Sequence, residues 1–205
     1  MTEPCQSQGG KMRNSLKYQL KRLVNFLEEA GVDYAVLGGI AVSVYSEPRM
    51  TQDIDLNIIL DMDDVAEFLK KSRKYGFRPV PPDINKFVKE TGVIPMRFFK
   101  NGVAGKFDFI IAQNPVEFAG IKRARLKSIW GVKVKIVTAE DLLLHKLLSD
   151  RPRDREDARG IILRQGEKLD LEYVGTWLKK IDKLSPARYL LKEFKELVKK
   201  LIIKY

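Results

Sequence analysis

Leu37-Gly38-Gly39, thirteen residues, and then Asp53-Ile54-Asp55-Leu56 is the stretch that decides how this chain is read. Tyr34-Ala35-Val36-Leu37 is a short apolar run ending in the glycine pair, the pattern of a buried strand and a tight turn. Ile40–Ser46 then reads as a short helix before Pro48. Asp53 to Leu60 alternates and is rich in β-branched residues, so it reads as a strand. Side chains alternate along a strand, so Asp53 and Asp55 leave one face while Ile54 and Leu56 leave the other. Two carboxylates that close repel unless a cation lies between them. Hard oxygen donors at this spacing suit Mg²⁺ or Mn²⁺, ions that are commonly shared between carboxylates and substrate phosphates.

A third carboxylate, Asp108, lies in the apolar run Lys106-Phe107-Asp108-Phe109-Ile110-Ile111. Burying it unpaired would be costly. On a strand adjacent to the first pair it would complete a site for in-line displacement at phosphorus. The two glycines, lacking Cβ atoms, let backbone N–H groups approach a phosphate, and a helix N-terminus at residue 40 would add its partial positive charge. Arg49 and Thr51 precede the aspartates and are within reach of phosphate oxygens.

Outward from this centre, Asn14 to Ala30 carries Leu16, Leu20, Leu23, Val24 and Leu27 at helical spacing, with Gly31 as a stop. A helix capped at Asp63 or Asp64 runs to Lys74, followed by a strand at Phe77–Val80. Residues 94–99 and 105–112 read as a strand pair around Asn101-Gly102, spaced more widely than a two-residue hairpin. Gly131–Val137 reads as a further strand. From Thr138 the pattern turns helical, over about 138–149, 154–164, 170–181 and 186–204. The expected class is α+β: a small mixed sheet with flanking helices, then a C-terminal helical part. The expected divisions are a flexible leader over 1–13, a catalytic domain over 14–137 and a helical subdomain over 138–205.

The charge is unevenly placed. The 205 residues include 38 Lys+Arg and 27 Asp+Glu, a net charge of +11. Residues 50–69 hold six acids and no base, 68–82 five bases and no acid, and 118–139 six more bases and no acid. Such a chain fits a protein that handles phosphates together with divalent cations. The basic stretch 122–135 contains Trp130 and reads either as an RNA-binding surface with a stacking aromatic or as a solvated turn and strand edge. The single cysteine, Cys5, excludes an intramolecular disulfide framework, so a reducing cytoplasmic setting is expected. No apolar run reaches the ~18–20 residues of a membrane helix, and no membrane partner is expected. The apolar face of the last helix, at Leu190, Phe194, Leu197 and Leu201, is expected to pack on the domain. The one histidine, His145, is expected at the surface.

The glycine pair, the short helix, Asp53-x-Asp55 and the later Asp108 resemble the active-site signature of the DNA polymerase β-like nucleotidyltransferase superfamily. Val137 to Leu148, followed by Arg151-Pro152-Arg153-Asp154-Arg155-Glu156-Asp157, is similar to its minimal prokaryotic branch, which includes toxin and abortive-infection enzymes. The resemblance covers roughly residues 30–165. It implies transfer of a nucleoside monophosphate from an NTP to an acceptor hydroxyl, with release of pyrophosphate. Asp53, Asp55 and Asp108 would then be the catalytic and metal-binding carboxylates. Gly38 and Gly39 would cradle the triphosphate, with Arg49, Thr51 and Lys146 as further nucleotide contacts. Asp154 and Asp157 match a lysine-then-aspartate arrangement of the toxin branch. One departure stands out: many members carry Ser after the first Gly, whereas this chain has Gly39. Thr51 and Ser43 are the hydroxyls available in its place.

The acceptor implied is an RNA end, tRNA-like in the toxin branch, with a separate antitoxin protein as a partner. Two other readings stand beside it. A small hydroxylated acceptor such as an aminoglycoside would be favoured by acids in the pocket, and the acidic run 61–67 leaves it open. A catalytically silent nucleotide- or partner-binding module would have no need of all three carboxylates.

Overall fold

A computed structural model describes residues 8–48, 51, 53–184 and 189–202. The first helix, α1 (Gln8–Ala30), begins inside the stretch expected as leader. Its Leu16, Leu20, Leu23 and Leu27 are buried, and Gly31, at φ +69°, ends it in the left-handed region. Then come β1 (Tyr34–Leu37), α2 (Gly38–Tyr45), β2 (Asp53–Ile58), α3 (Val65–Tyr75) and β3 (Phe77–Pro79). A helix not foreseen from the sequence, α4 (Ile84–Thr91), is capped by Asp83, whose carboxylate accepts from the Lys86 N–H at 3.1 Å.

β4 (Val93–Lys100) and β5 (Val103–Ile111) form a true two-residue hairpin, with Lys100 paired to Val103. The wider spacing expected there is corrected: both strands run on to the turn, where Asn101 and Gly102 have positive φ (51° and 73°). Beyond it lies α5 (Pro115–Arg123), also not foreseen. It opens with a capping box, in which Asn114 accepts from the Val116 and Glu117 N–H groups and Glu117 reaches back to the Asn114 N–H. A second tight hairpin, β6 (Arg125–Ile129) and β7 (Val132–Ile136), turns at Trp130-Gly131, both at positive φ. Trp130 is partly buried against the core. The helical part comprises α6 (Ala139–Leu147), α7 (Pro152–Gln165), α8 (Leu171–Leu184) and α9 (Leu190–Ile202). Leu190 and Phe194 of α9 are buried in the core, as the packing expectation required. Among the described residues no helix is long and apolar enough to cross a membrane.

The described strands form one mixed sheet in the order β3-β4-β5-β2-β1-β7-β6. The β2–β5 and β1–β7 pairs are parallel and the others antiparallel. One face is the core. Ile54 and Leu56 of β2 lie level with Phe107 and Phe109 of β5, and Phe26, Phe68 and Phe77 close over that region. The ring pairs Phe26–Phe68 and Phe77–Phe107 have centroids 4.8 and 4.9 Å apart, inside the range of favourable aromatic contacts. A single buried cluster includes α1, the sheet, and Leu142, Ile161, Leu178 and Phe194 of the helical part. The opposite face of β2 and β5 carries the polar residues.

Candidate active site

Period-two alternation sends Ile54 and Leu56 into the core and therefore leaves Asp53, Asp55 and Asn57 on the other face of β2. Parallel pairing sets Asp55 level with Asp108, and Asp53 level with Lys106. The three carboxylates named from the sequence thus share one face of two adjacent strands. Antiparallel pairing also sets Leu37 level with Asp55, which brings the glycine turn beside them.

The glycines are required by close approach. Gly38 has φ +63°, and a Cβ there would fall 1.9 Å from Oδ2 of Asp55. A Cβ on Gly39 would fall 2.5 Å from Oγ1 of Thr51. The pair therefore lets β1 turn into α2 directly against β2. Thr51 lies over Gly39 and donates its hydroxyl to the Asp53 carbonyl at 3.0 Å, while Ser43 donates to the Gly39 carbonyl at 2.9 Å. Arg49 lies outside the described residues.

The electrostatics match a cation-seeking site. Burial first, then the Asp108 and Asp53 carboxylates, push the Asp55 carboxyl up to about 6, against partial relief from Lys146 and Arg151. Asp108 is raised by burial and by Asp53, with Lys106 opposing. The negative charge here is under-compensated by the protein itself. Among the described residues, no three metal-ligating side chains converge closely enough to hold an ion in this conformation. The donor set is nonetheless hard oxygen, side by side and short of positive charge, which fits a divalent cation.

Lys146 is only 7% exposed. It pairs with Asp154 and with Asp157 (2.9 Å), so the two aspartates of α7 both face the lysine of α6. Asp154 also accepts from Ser149 at 2.6 Å and from Arg151 at 2.8 Å. Lys146 and Arg151 are both close enough to act on Asp55. The sequence drew attention to Lys146 but not to Arg151, whose place follows from the turn between α6 and α7.

His145 is not a surface residue, and that expectation is corrected. It is half-buried, with Nε2 3.4 Å from the Asn57 amide nitrogen, and burial lowers its pKa. Asn57 sits two residues beyond Asp55 on the same face and is almost fully buried, so α6 covers the inner end of the row that begins at Asp53. The acidic run 61–67 also follows the C-terminal end of β2 but does not join the carboxylate row. Asp61, Asp64 and Glu67 line a separate hollow with Ala30 and Lys71.

Residues 16–204 match the family described as nucleotidyl transferase of unknown function (DUF2204). The chain belongs to that family. It is accordingly an enzyme of the nucleotidyltransferase class, as the resemblance implied. No curated protein matches the sequence. Among solved structures it resembles an antigenic nucleotidyltransferase-like protein from Paracoccidioides brasiliensis, with TM-score 0.53 and 22% identity over 87% of this chain and 93% of that one. It also resembles the antibiotic-resistance factor ANT(2'')-Ia, with TM-score 0.54 and 15% identity over 85% of this chain and 98% of that one. A second structure of that factor, in complex with adenylyl-2''-tobramycin, gives TM-score 0.50 and 17% identity over 75% and 91%. At these identities the likeness is one of fold.

Proposed function

We propose that the protein is a divalent-metal-dependent enzyme that moves a nucleoside monophosphate from an NTP to a hydroxyl of RNA. The observation that carries the chemistry is the register of Asp55 with Asp108 on the neighbouring parallel strand, beside the Gly38-Gly39 turn. Asp53, Asp55 and Asp108 are the residues that would hold Mg²⁺ or Mn²⁺. Such an ion would neutralise charge on the phosphate and on the leaving pyrophosphate. The backbone at Gly38 and Gly39, at the start of α2, receives the triphosphate. Thr51, held over Gly39, supplies the hydroxyl that a serine at that position would otherwise bring.

In the step itself the acceptor oxygen forms a bond to the α-phosphorus. The bond from that phosphorus to the bridging oxygen breaks, and pyrophosphate leaves with the electron pair. The acceptor proton passes to a carboxylate oxygen of Asp108, the member of the set on β5. Lys146 and Arg151 approach Asp55 from α6 and its following turn and bring positive charge to the phosphate side. Most of the acceleration would come from positioning and fixed electrostatics.

The test is label transfer from each α-³²P NTP to total RNA with Mg²⁺, comparing wild type with Asp53→Ala/Asp55→Ala. Labelled RNA is expected with wild type and a loss of at least about 10³-fold with the double variant. No metal-dependent NTP binding and no labelled acceptor of any kind would sink the enzyme reading. A toxin-type role would further require growth arrest on expression of the wild type, absent with the same variant and relieved by a partner protein.

A further inference from the structure

The sheet face that carries the carboxylates continues past β5 onto β4 and β3. There its chemistry changes sign. Asp53 is level with Lys106, Lys106 with Arg97, and Arg97 with Arg78, so one row crosses four strands from a carboxylate to three cations. Lys106, Arg97 and Arg78 are all exposed. Neither Arg97 nor Lys106 forms an ion pair with any described carboxylate. Phe99, two residues along β4 on the same face, is 70% exposed.

A hollow of about 580 Å³ opens beside this row, lined by Thr51, Asp53, Arg97, Phe99, Lys106 and Gln19 among others. Gln19 is buried, and its Nε2 donates to the Ala104 carbonyl (3.2 Å) and to Ser15 (3.1 Å), while its Oε1 has no partner among the described residues. An unsatisfied buried carbonyl in a hollow wall is uncommon and suits a donor brought by a ligand.

Geometry assigns the side. In-line displacement puts the attacking oxygen and the leaving pyrophosphate on opposite sides of the phosphorus. The glycine turn and α2 lie on the β1 side of the carboxylates, so the acceptor has to arrive from the β5 side, where this row and hollow begin. We infer that the Lys106–Arg97 row and Phe99 form the acceptor site, and that they take the hydroxyl-bearing end of a single-stranded polynucleotide. Lys106 and Arg97 bind its last phosphates, and Phe99 stacks on an unpaired base. Charge complementarity selects this occupant: a polycationic small acceptor would meet two exposed cations at the mouth of the site. The inference rests on the nucleotidyl-transfer reading and adds to it the substrate class and the residues that select it.

The test reads RNA binding directly, by fluorescence anisotropy of a labelled 12-nucleotide single-stranded RNA, with a DNA of the same sequence as a second arm. Arg97→Glu/Lys106→Glu is expected to weaken RNA binding at least about 10-fold and to flatten its salt dependence by between one and two phosphate contacts. Phe99→Ala is expected to weaken it about 5–10-fold with the salt slope unchanged. Lys127→Glu/Lys133→Glu, on the opposite edge of the sheet, should stay within about threefold of wild type. Tighter binding of the DNA would keep the site and change the sugar it accepts. Equal loss in the opposite-edge variant, or no loss in Arg97→Glu/Lys106→Glu, overturns the proposal. Wild type that binds Mg²⁺-NTP but labels an aminoglycoside and no polynucleotide also overturns it, with the transfer reading intact. Failure to bind Mg²⁺-NTP at all is the separate failure of the transfer reading.

Discussion

At Gly39 a single missing methyl group sets how the glycine turn meets the segment leading into β2. The space a side chain there would need is filled by Thr51, whose Oγ1 and Cβ would lie 2.5 and 2.6 Å from it. Gly39→Ser is therefore expected to cost about 1–3 kcal/mol by overpacking, read as a drop in the urea midpoint at constant slope. Because the Thr51 Cβ is itself in the way, Thr51→Ala should not restore the loss, whereas Thr51→Gly should. Restoration by Thr51→Ala would show that only the hydroxyl was in conflict. Gly38 is the stricter position. Its positive φ and the Asp55 carboxylate against it leave no room for any Cβ.

Between elements, the joint that matters for the site is α6 to α7. Lys146 from one helix is held by Asp154 and Asp157 from the other, all three largely buried. Removing one side of a buried ion pair leaves uncompensated charge, so Lys146→Met is expected to cost about 3–5 kcal/mol at neutral pH. The pH sign follows from Asp154. Burial raises its pKa, but the hydrogen bonds and charges of Lys146, Ser149 and Arg151 more than offset this, and the net shift is downward. A depressed folded pKa means stability that is present above the unfolded value of about 3.9 and is lost as pH falls through the folded one. The stability gap between wild type and Lys146→Met should thus shrink as pH is lowered from 6 toward 3. Chemical denaturation across that range measures it, and a gap that widens would contradict the pairing.

Over the whole molecule, one buried acid joins α5 to the helical part. Asp141 of α6 is fully buried and accepts from Thr138 (2.7 Å), from Arg123 of α5 (3.1 Å) and from Tyr173 of α8 (2.6 Å), while Arg123 stacks on the Tyr173 ring. Burial and the Asp141 carboxylate push the Tyr173 hydroxyl up to about 12. Tyr173→Phe keeps the ring and deletes one donor to a buried charge. It is expected to cost about 1–3 kcal/mol, or roughly 2–4 °C of Tm per kcal/mol in a chain of this size. An unchanged Tm would mean that Thr138 and Arg123 suffice.

The alternation of Asp53-Ile54-Asp55-Leu56 by itself determined which face of β2 is core and which is chemical, because a strand has no other way to separate apolar from charged neighbours. Local chemistry likewise marked the glycine turn and the helices that follow Thr138. It missed α4 and α5, whose evidence lies in cap residues such as Asp83 and Asn114 more than in hydrophobic period. It also placed His145 outside, since nothing in its neighbours along the chain reveals Asn57 beneath it. Only the tertiary structure decided that Asp108 stands level with Asp55, that Lys146 meets both Asp154 and Asp157, and that Lys106, Arg97 and Arg78 form one row. Those facts depend on strand order and register between segments tens of residues apart, and register is set by how the whole core packs rather than by any one segment.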